Sequence, residues 1–174
     1  QARGPLHTLS VAIFASTMML LYLSSALFYG LPPGRSKMFF EKVDRAAIYL
    51  FIAGSYTPFA ALALQGIQAW LMLALVWTLA ILGVLFSLSM RDERPLLSTG
   101  LYVALGWLVL LAALPWIGQV SATGVRLLLA GGLAYTLGAA LYLLSSRLRF
   151  AHLVWHLFVM AGSGLHFFAT LSQA

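Results

Sequence analysis

Six apolar stretches, each close to the roughly 20 residues that cross a bilayer, take up most of this 174-residue chain. By sequence they cover residues 8–30, 46–64, 67–90, 96–114, 125–145 and 150–171. Lipid offers no hydrogen bonds to a bare backbone, so segments of this length and polarity must be helices that satisfy their own amides. Only 8% of the residues are charged, against roughly 25% in an ordinary soluble domain. A water-soluble fold, a disordered chain and a nucleic-acid module are all excluded by that poverty of charge, since the net +6 comes from scattered Lys and Arg and not from a basic face. The fold class is all-α: a polytopic transmembrane helical bundle. Cysteine is absent, which removes disulfides and thiolate metal sites.

The connections are short. Leu31, Pro32, Pro33 and Gly34 close the first span, Gln65 and Gly66 make a tight turn, and a charged segment at residues 91–95 precedes the fourth span. Such loops force neighbouring helices to run antiparallel, which predicts one transmembrane domain over residues 1–174. Arg35, Lys37, Lys42, Arg45, Arg91, Arg94, Arg147 and Arg149 fall in alternate loops on one side, and only Arg3 and Arg126 fall on the other. The positive-inside rule makes the richer side cytoplasmic and places both chain ends outside. A cleaved signal peptide is not expected, because the first span is too long and no polar cleavage segment follows it. Trp70, Trp107 and Trp116 read as an aromatic belt near span ends, and Pro58 as a kink in the second span. Gly131, Gly132, Gly138, Gly162, Ser163 and Gly164 supply small residues for close helix approach.

Charged and imidazole groups are costly in hydrocarbon and mark candidate sites. Glu41, Asp92 and Glu93 lie among basic residues, and solvated ion pairs explain them. Asp44 stands immediately before an apolar run. It reads either as an N-terminal cap or as an acid aimed into the bundle. His152 and His156 are four residues apart in the last span. That spacing puts both rings on one helix face, about 6 Å of rise apart, which suits joint capture of a metal ion. Two histidines hydrogen-bonded to their neighbours are the structural alternative. His166 is ten residues beyond His156, or about 15 Å along the axis, too far to share an ion. Ser25 and Tyr29 end the first span at the depth where Asp44, His152 and His156 begin theirs. Trp155, between the histidines, reads as an interfacial anchor or as a wall of that polar region.

Three stretches resemble the haemolysin III family. They run from Leu23-Ser24-Ser25 through Tyr29-Gly30-Leu31-Pro32, from Val43-Asp44-Arg45 through Thr57-Pro58-Phe59, and from His152 through Trp155-His156 to His166-Phe167. The wider group takes in the progestin and adipoQ receptors and, more distantly, the alkaline ceramidases. The resemblance implies a seven-helix fold with zinc near the cytoplasmic side, held by three histidines, and a water between the ion and an aspartate. On that pattern Asp44 is the aspartate, Ser25 the motif serine, and His152 and His156 two zinc ligands. Tyr29 stands where the family has its third histidine. The chain begins at the family's second helix, so six spans replace seven and both ends come out on the same side.

Those matches imply a zinc-dependent membrane hydrolase acting on a lipid amide or ester, with membrane lipids as partners and no nucleic acid. Asp44 would orient the water or act as general base, and Ser25 would hydrogen-bond the water or an oxyanion. Two histidines alone make a weak zinc site unless Asp44 or a Tyr29 phenolate joins them, and a phenol with a pKa of about 10 needs the metal to deprotonate it. The alternative is a non-catalytic, receptor-like or envelope-stress membrane protein with a degraded metal site. An aqueous pore is disfavoured, because the span middles carry too few polar residues to line one.

Overall fold

The computed structural model describes residues 4–62, 66–89, 95–145 and 147–172. Arg3, Gln65, Met90, Arg91, Asp92, Glu93 and Arg94, named above, lie outside the described residues, as does the Trp116 side chain. The described residues are helical almost throughout and contain no strand. The elements are α1 (Pro5–Gly30), α2 (Arg35–Leu62), α3 (Ile67–Ser89), α4 (Pro95–Ala113), a short 3-10 helix (Leu114–Gln119), α5 (Ala122–Leu143) and α6 (Ala151–Leu171).

Proline and glycine set these ends. Pro5 opens α1 where its missing N–H is no loss. Pro32 and Pro33 cannot continue that helix past Gly30. Gly66 turns the chain between α2 and α3 at φ 64°, in the left-handed region that suits a residue without Cβ. At α5 the Ser121 hydroxyl accepts the Gly124 N–H at 3.0 Å, an N-cap, and lies 3.2 Å from the Ser172 hydroxyl just past α6. A single side-chain pair thus joins the start of one helix to the end of the next.

Five helices are long and apolar enough to cross a membrane: α1, α3, α4, α5 and α6. At 28 residues α2 is about 42 Å long, sufficient for a span, but its first third carries Arg35, Lys37, Glu41, Lys42, Asp44 and Arg45. The sequence places the start of the second span at residue 46, because charge ends the apolar run there. The helix itself begins eleven residues earlier, since Arg, Lys, Met and Glu are good helix formers even where they cannot be lipid-embedded. Asp44 therefore is not an N-cap. It lies in the third turn of α2, already inside the hydrogen-bonded helix. The helix also runs on through the buried Pro58.

The chain forms two compact units, Gln1–Glu93 and Arg94–Ala174. In the first, α2 packs on both α1 and α3. In the second, α5 packs extensively on α6, and α4 lies on α5. Burial is inverted relative to a soluble protein. Along α1 the buried residues are Ser10, Phe14, Thr17, Leu21 and Ser24, a run of alternating four- and three-residue steps, while Met19 is 68% and Leu23 62% exposed. Lipid is as apolar as leucine, so helices associate through small residues that pack closely. Their hydroxyls turn back to the helix: Ser10 to the His7 carbonyl at 2.9 Å, Thr17 to Phe14 at 3.0 Å, Ser24 to Leu21 at 2.9 Å. Gly54 of α2 sits directly against the Thr17 side chain, where a Cβ would collide with the hydroxyl.

The same logic builds the α5–α6 pair. Gly124, Gly131 and Gly138 recur every seventh residue and are all buried, giving α5 a continuous small-residue seam. On α4, Trp107 lies well inside the helix, and its indole N–H donates to Thr136 Oγ1 of α5 at 3.0 Å. It is a helix-to-helix contact and does not belong to a belt at the span ends. Trp70, in the first turn of α3, is 64% exposed.

Candidate functional site

One cluster of candidate residues lies in the first unit, where α1 meets α2. Asp44 is only 8% exposed, with its carboxylate turned toward α1. Ser24 Oγ lies 3.5 Å from Asp44 Oδ1, and the Ser25 hydroxyl also hydrogen-bonds the carboxylate. Asp44 precedes the lipid-spanning run. Burial pushes its carboxyl up to about 6; the Ser25 and Ser24 hydroxyls and the Arg45 charge act in the opposite direction. Arg45 itself is engaged one turn back with Glu41 at 3.1 Å. The sequence singles out Ser25 alone. Ser24 joins it because consecutive helix residues sit about 100° apart and a carboxylate has oxygens enough for both. Tyr29, one turn beyond Ser25, is 45% exposed, with its ring 4.7 Å from that of Phe28.

A separate cluster lies in the second unit, on the first turns of α6. His152 and His156 are partly buried, their rings 4.9 Å apart and nearly perpendicular. Their Nε2 atoms face each other at 3.3 Å. Two neutral imidazoles can share one proton at that distance. A cation can take its place: a tetrahedral ion bound to two nitrogens at about 2.0–2.1 Å keeps them about 3.3 Å apart. A square-planar ion would need about 2.9 Å and a linear one about 4 Å. The pair therefore fits the bite of a tetrahedral ion such as zinc. Within either unit no third histidine or carboxylate joins it among the described residues.

Around the pair stand two rings that sequence reasoning left unassigned or half-assigned. The Trp155 ring lies tilted, 4.3 Å from that of His156 and 5.1 Å from that of His152 between centroids, so it walls the pair as well as flanking it in sequence. Tyr142, in the last turn of α5, lies 4.9 Å from Trp155 and 6.1 Å from His152. The signal for Tyr142 was present in outline, four residues after Gly138 on the glycine seam. His166 stands apart, buried against Gly131 and Tyr135 of α5.

Comparison with known proteins identifies the family. The profile of the family described as Haemolysin-III related matches residues 2–167. Hemolysin-3 of Bacillus cereus is 40% identical over 159 residues, covering 91% of this chain and 72% of that protein. The Hemolysin-3 homolog of Bacillus subtilis (strain 168) is 39% identical over 162 residues, covering 93% and 76%. The human monocyte to macrophage differentiation factor is 31% identical over 130 residues, covering 75% of this chain and 53% of that protein. No solved structure was found to match.

Proposed function

Because the chain belongs to the haemolysin-III related family of integral membrane proteins, we propose that it is a zinc-dependent membrane hydrolase whose substrate is a lipid amide or ester. His152 and His156 would hold the ion, with Tyr29 as the third donor in the family pattern. The observation that carries this reading is the 3.3 Å separation of the two Nε2 atoms, the bite of a tetrahedral ion. Zinc would supply Lewis acidity, lowering the pKa of a water and polarising a substrate carbonyl.

The chain's own residues do the rest. Asp44, with a carboxyl poised at about 6, is a base matched to neutral conditions: it takes a proton from water at one oxygen and returns it to the leaving amine or alkoxide. Ser24 and Ser25 donate to the carboxylate and fix its orientation. A hydroxyl of that pair can also turn to a developing oxyanion. The expected depth of these residues, in the inner leaflet, suits a lipid better than a soluble metabolite. The charge bias of the connectors supports an orientation in which these residues lie on the cytoplasmic side of a bacterial inner membrane.

The test is a metal count. Chelator-treated protein refilled with zinc should take up close to one equivalent, and His156→Ala should abolish it. Native protein purified without zinc would refute the catalytic reading. A second reading is favoured by one residue, Tyr29, which replaces a family histidine: a non-catalytic, receptor-like or envelope-stress protein of the same fold. Under that reading Asp44→Asn leaves the biological phenotype intact; under the hydrolase reading it removes it.

A further inference from the structure

His152 and His156 do not stand alone at the start of α6. Tyr142 and Trp155 complete a cluster of four rings, in which each ring lies within 6.1 Å, centroid to centroid, of at least one histidine. The backbone makes room for this. Gly138, four residues before Tyr142 on the same face of α5, faces α6 so closely that a Cβ there would lie 2.9 Å from Phe158 Cβ and 3.4 Å from Trp155 Cδ1. The missing side chain lets the indole settle against α5, and Tyr142 covers it one turn later at 4.9 Å.

The consequence concerns the histidines. A free histidine side chain turns about two bonds, and a chelating pair must give up that freedom when it takes an ion. Here Trp155 lies against both imidazoles, and Tyr142 backs both Trp155 and His152. Rotation of an imidazole toward Trp155, or of His152 toward Tyr142, would press it into that ring. We propose that Tyr142 and Trp155 are positioning residues that hold the histidine pair at a preset chelating separation, so that affinity for a tetrahedral cation depends on two rings that donate nothing to it. This rests on the metal reading above and deepens it.

The test uses the full chain purified in detergent. Zinc affinity is measured by competition with a chromophoric chelator, and the visible spectrum of the cobalt(II) form reports coordination geometry. Tyr142→Leu and Trp155→Leu should each weaken zinc binding about 10- to 100-fold, the range seen when the support behind metal ligands is removed. Their cobalt spectra should lose the parent's tetrahedral signature. Tyr142→Phe keeps the ring and should stay within about 3-fold of the parent. Thermal unfolding of the metal-free proteins checks that each is folded. Tyr142→Met and Trp155→Met, which fill space without a ring, carry the same expectation if a leucine variant does not fold. Unchanged affinity in the ring-less variants would overturn the proposal. So would a Tyr142→Phe protein as weak as Tyr142→Leu, since the hydroxyl and not the ring would then matter. A parent that binds no zinc, or binding untouched by His156→Ala, overturns the metal reading itself and the positioning role with it.

Discussion

The imidazole of His166 fills the space that a side chain on Gly131 would need. A Cβ at that glycine would run into the ring, 2.7 Å from Nε2, and would lie 3.3 Å from the Gly162 carbonyl oxygen. Tyr135 meets the same imidazole edge-on at 5.3 Å, and its hydroxyl lies 3.1 Å from that of Ser163. One glycine on α5 and one histidine on α6 thus set how closely the two helices approach, and with it the register that brings Tyr142 beside His152.

Gly131→Ala should therefore destabilise the protein by about 1–3 kcal/mol, the usual cost of overpacking a tight contact. The neighbouring Gly132 supplies the control, since a Cβ there meets nothing nearer than Trp107 at 3.9 Å. Gly132→Ala should be neutral or stabilising by up to about 1 kcal/mol, the helix propensity gained. Thermal unfolding in detergent separates the two; equal effects would mean that the seam is not tight.

Asp44 should titrate near neutrality. Its carboxyl is raised from 3.8 to about 6, so the folded protein holds that proton more tightly than the unfolded chain does. The associated stability is complete below about pH 4 and is lost as pH rises through about 6. Infrared spectroscopy should show a protonated-carboxyl band that fades over this interval and is missing from Asp44→Asn. Ser25→Ala and Ser24→Ala, which remove hydrogen bonds to the ionised form, should move the midpoint upward. A band already absent at pH 5 would contradict the burial argument.

Under the proposed metal reading, Tyr29→His supplies a third imidazole and should raise zinc affinity at least 10-fold at neutral pH, as a third ligand does. A phenol must shed a proton to bind a cation, whereas a neutral imidazole need not. The advantage of histidine should consequently shrink as pH rises. Equilibrium dialysis at two pH values checks both statements, and equal affinities throughout would remove Tyr29 from the metal site.

The Trp107–Thr136 hydrogen bond, 3.0 Å between α4 and α5, gives the second unit a polar tie. A double-mutant cycle with Trp107→Phe and Thr136→Val should return a coupling of about 0.6 kcal/mol, typical of such bonds between membrane helices. Zero coupling would reassign Trp107 to packing alone.

Much of the molecule was legible as a string of residues. Hydropathy over windows of about 20 residues locates helices because crossing a bilayer is a local requirement. Prolines and glycines at the connectors locate their ends for the same reason. The start of α2 is not legible from hydropathy, because Arg35, Lys37 and Lys42 end an apolar run without ending a helix. Trp107 was misplaced because a tryptophan reads alike whether it anchors at an interface or donates to a threonine on the next helix. The histidine pair was visible from its spacing of four, since both partners share one helix. Ser24 and Tyr142 were not, because each meets its partner across two helices.

The sequence by itself determined that this is an all-helical membrane protein of the haemolysin-III related family, and it singled out one aspartate, one serine and a histidine pair as candidate site residues. These follow from composition, period and motif, which act along the chain. Only the tertiary structure decided that both serines meet Asp44, that the two histidine Nε2 atoms face each other at 3.3 Å, and that Tyr142 and Trp155 lie beside them. Those relationships depend on which face of one helix packs on which face of another. In lipid that choice is made by small residues and shape, not by the hydrophobic pattern from which a sequence is most easily read.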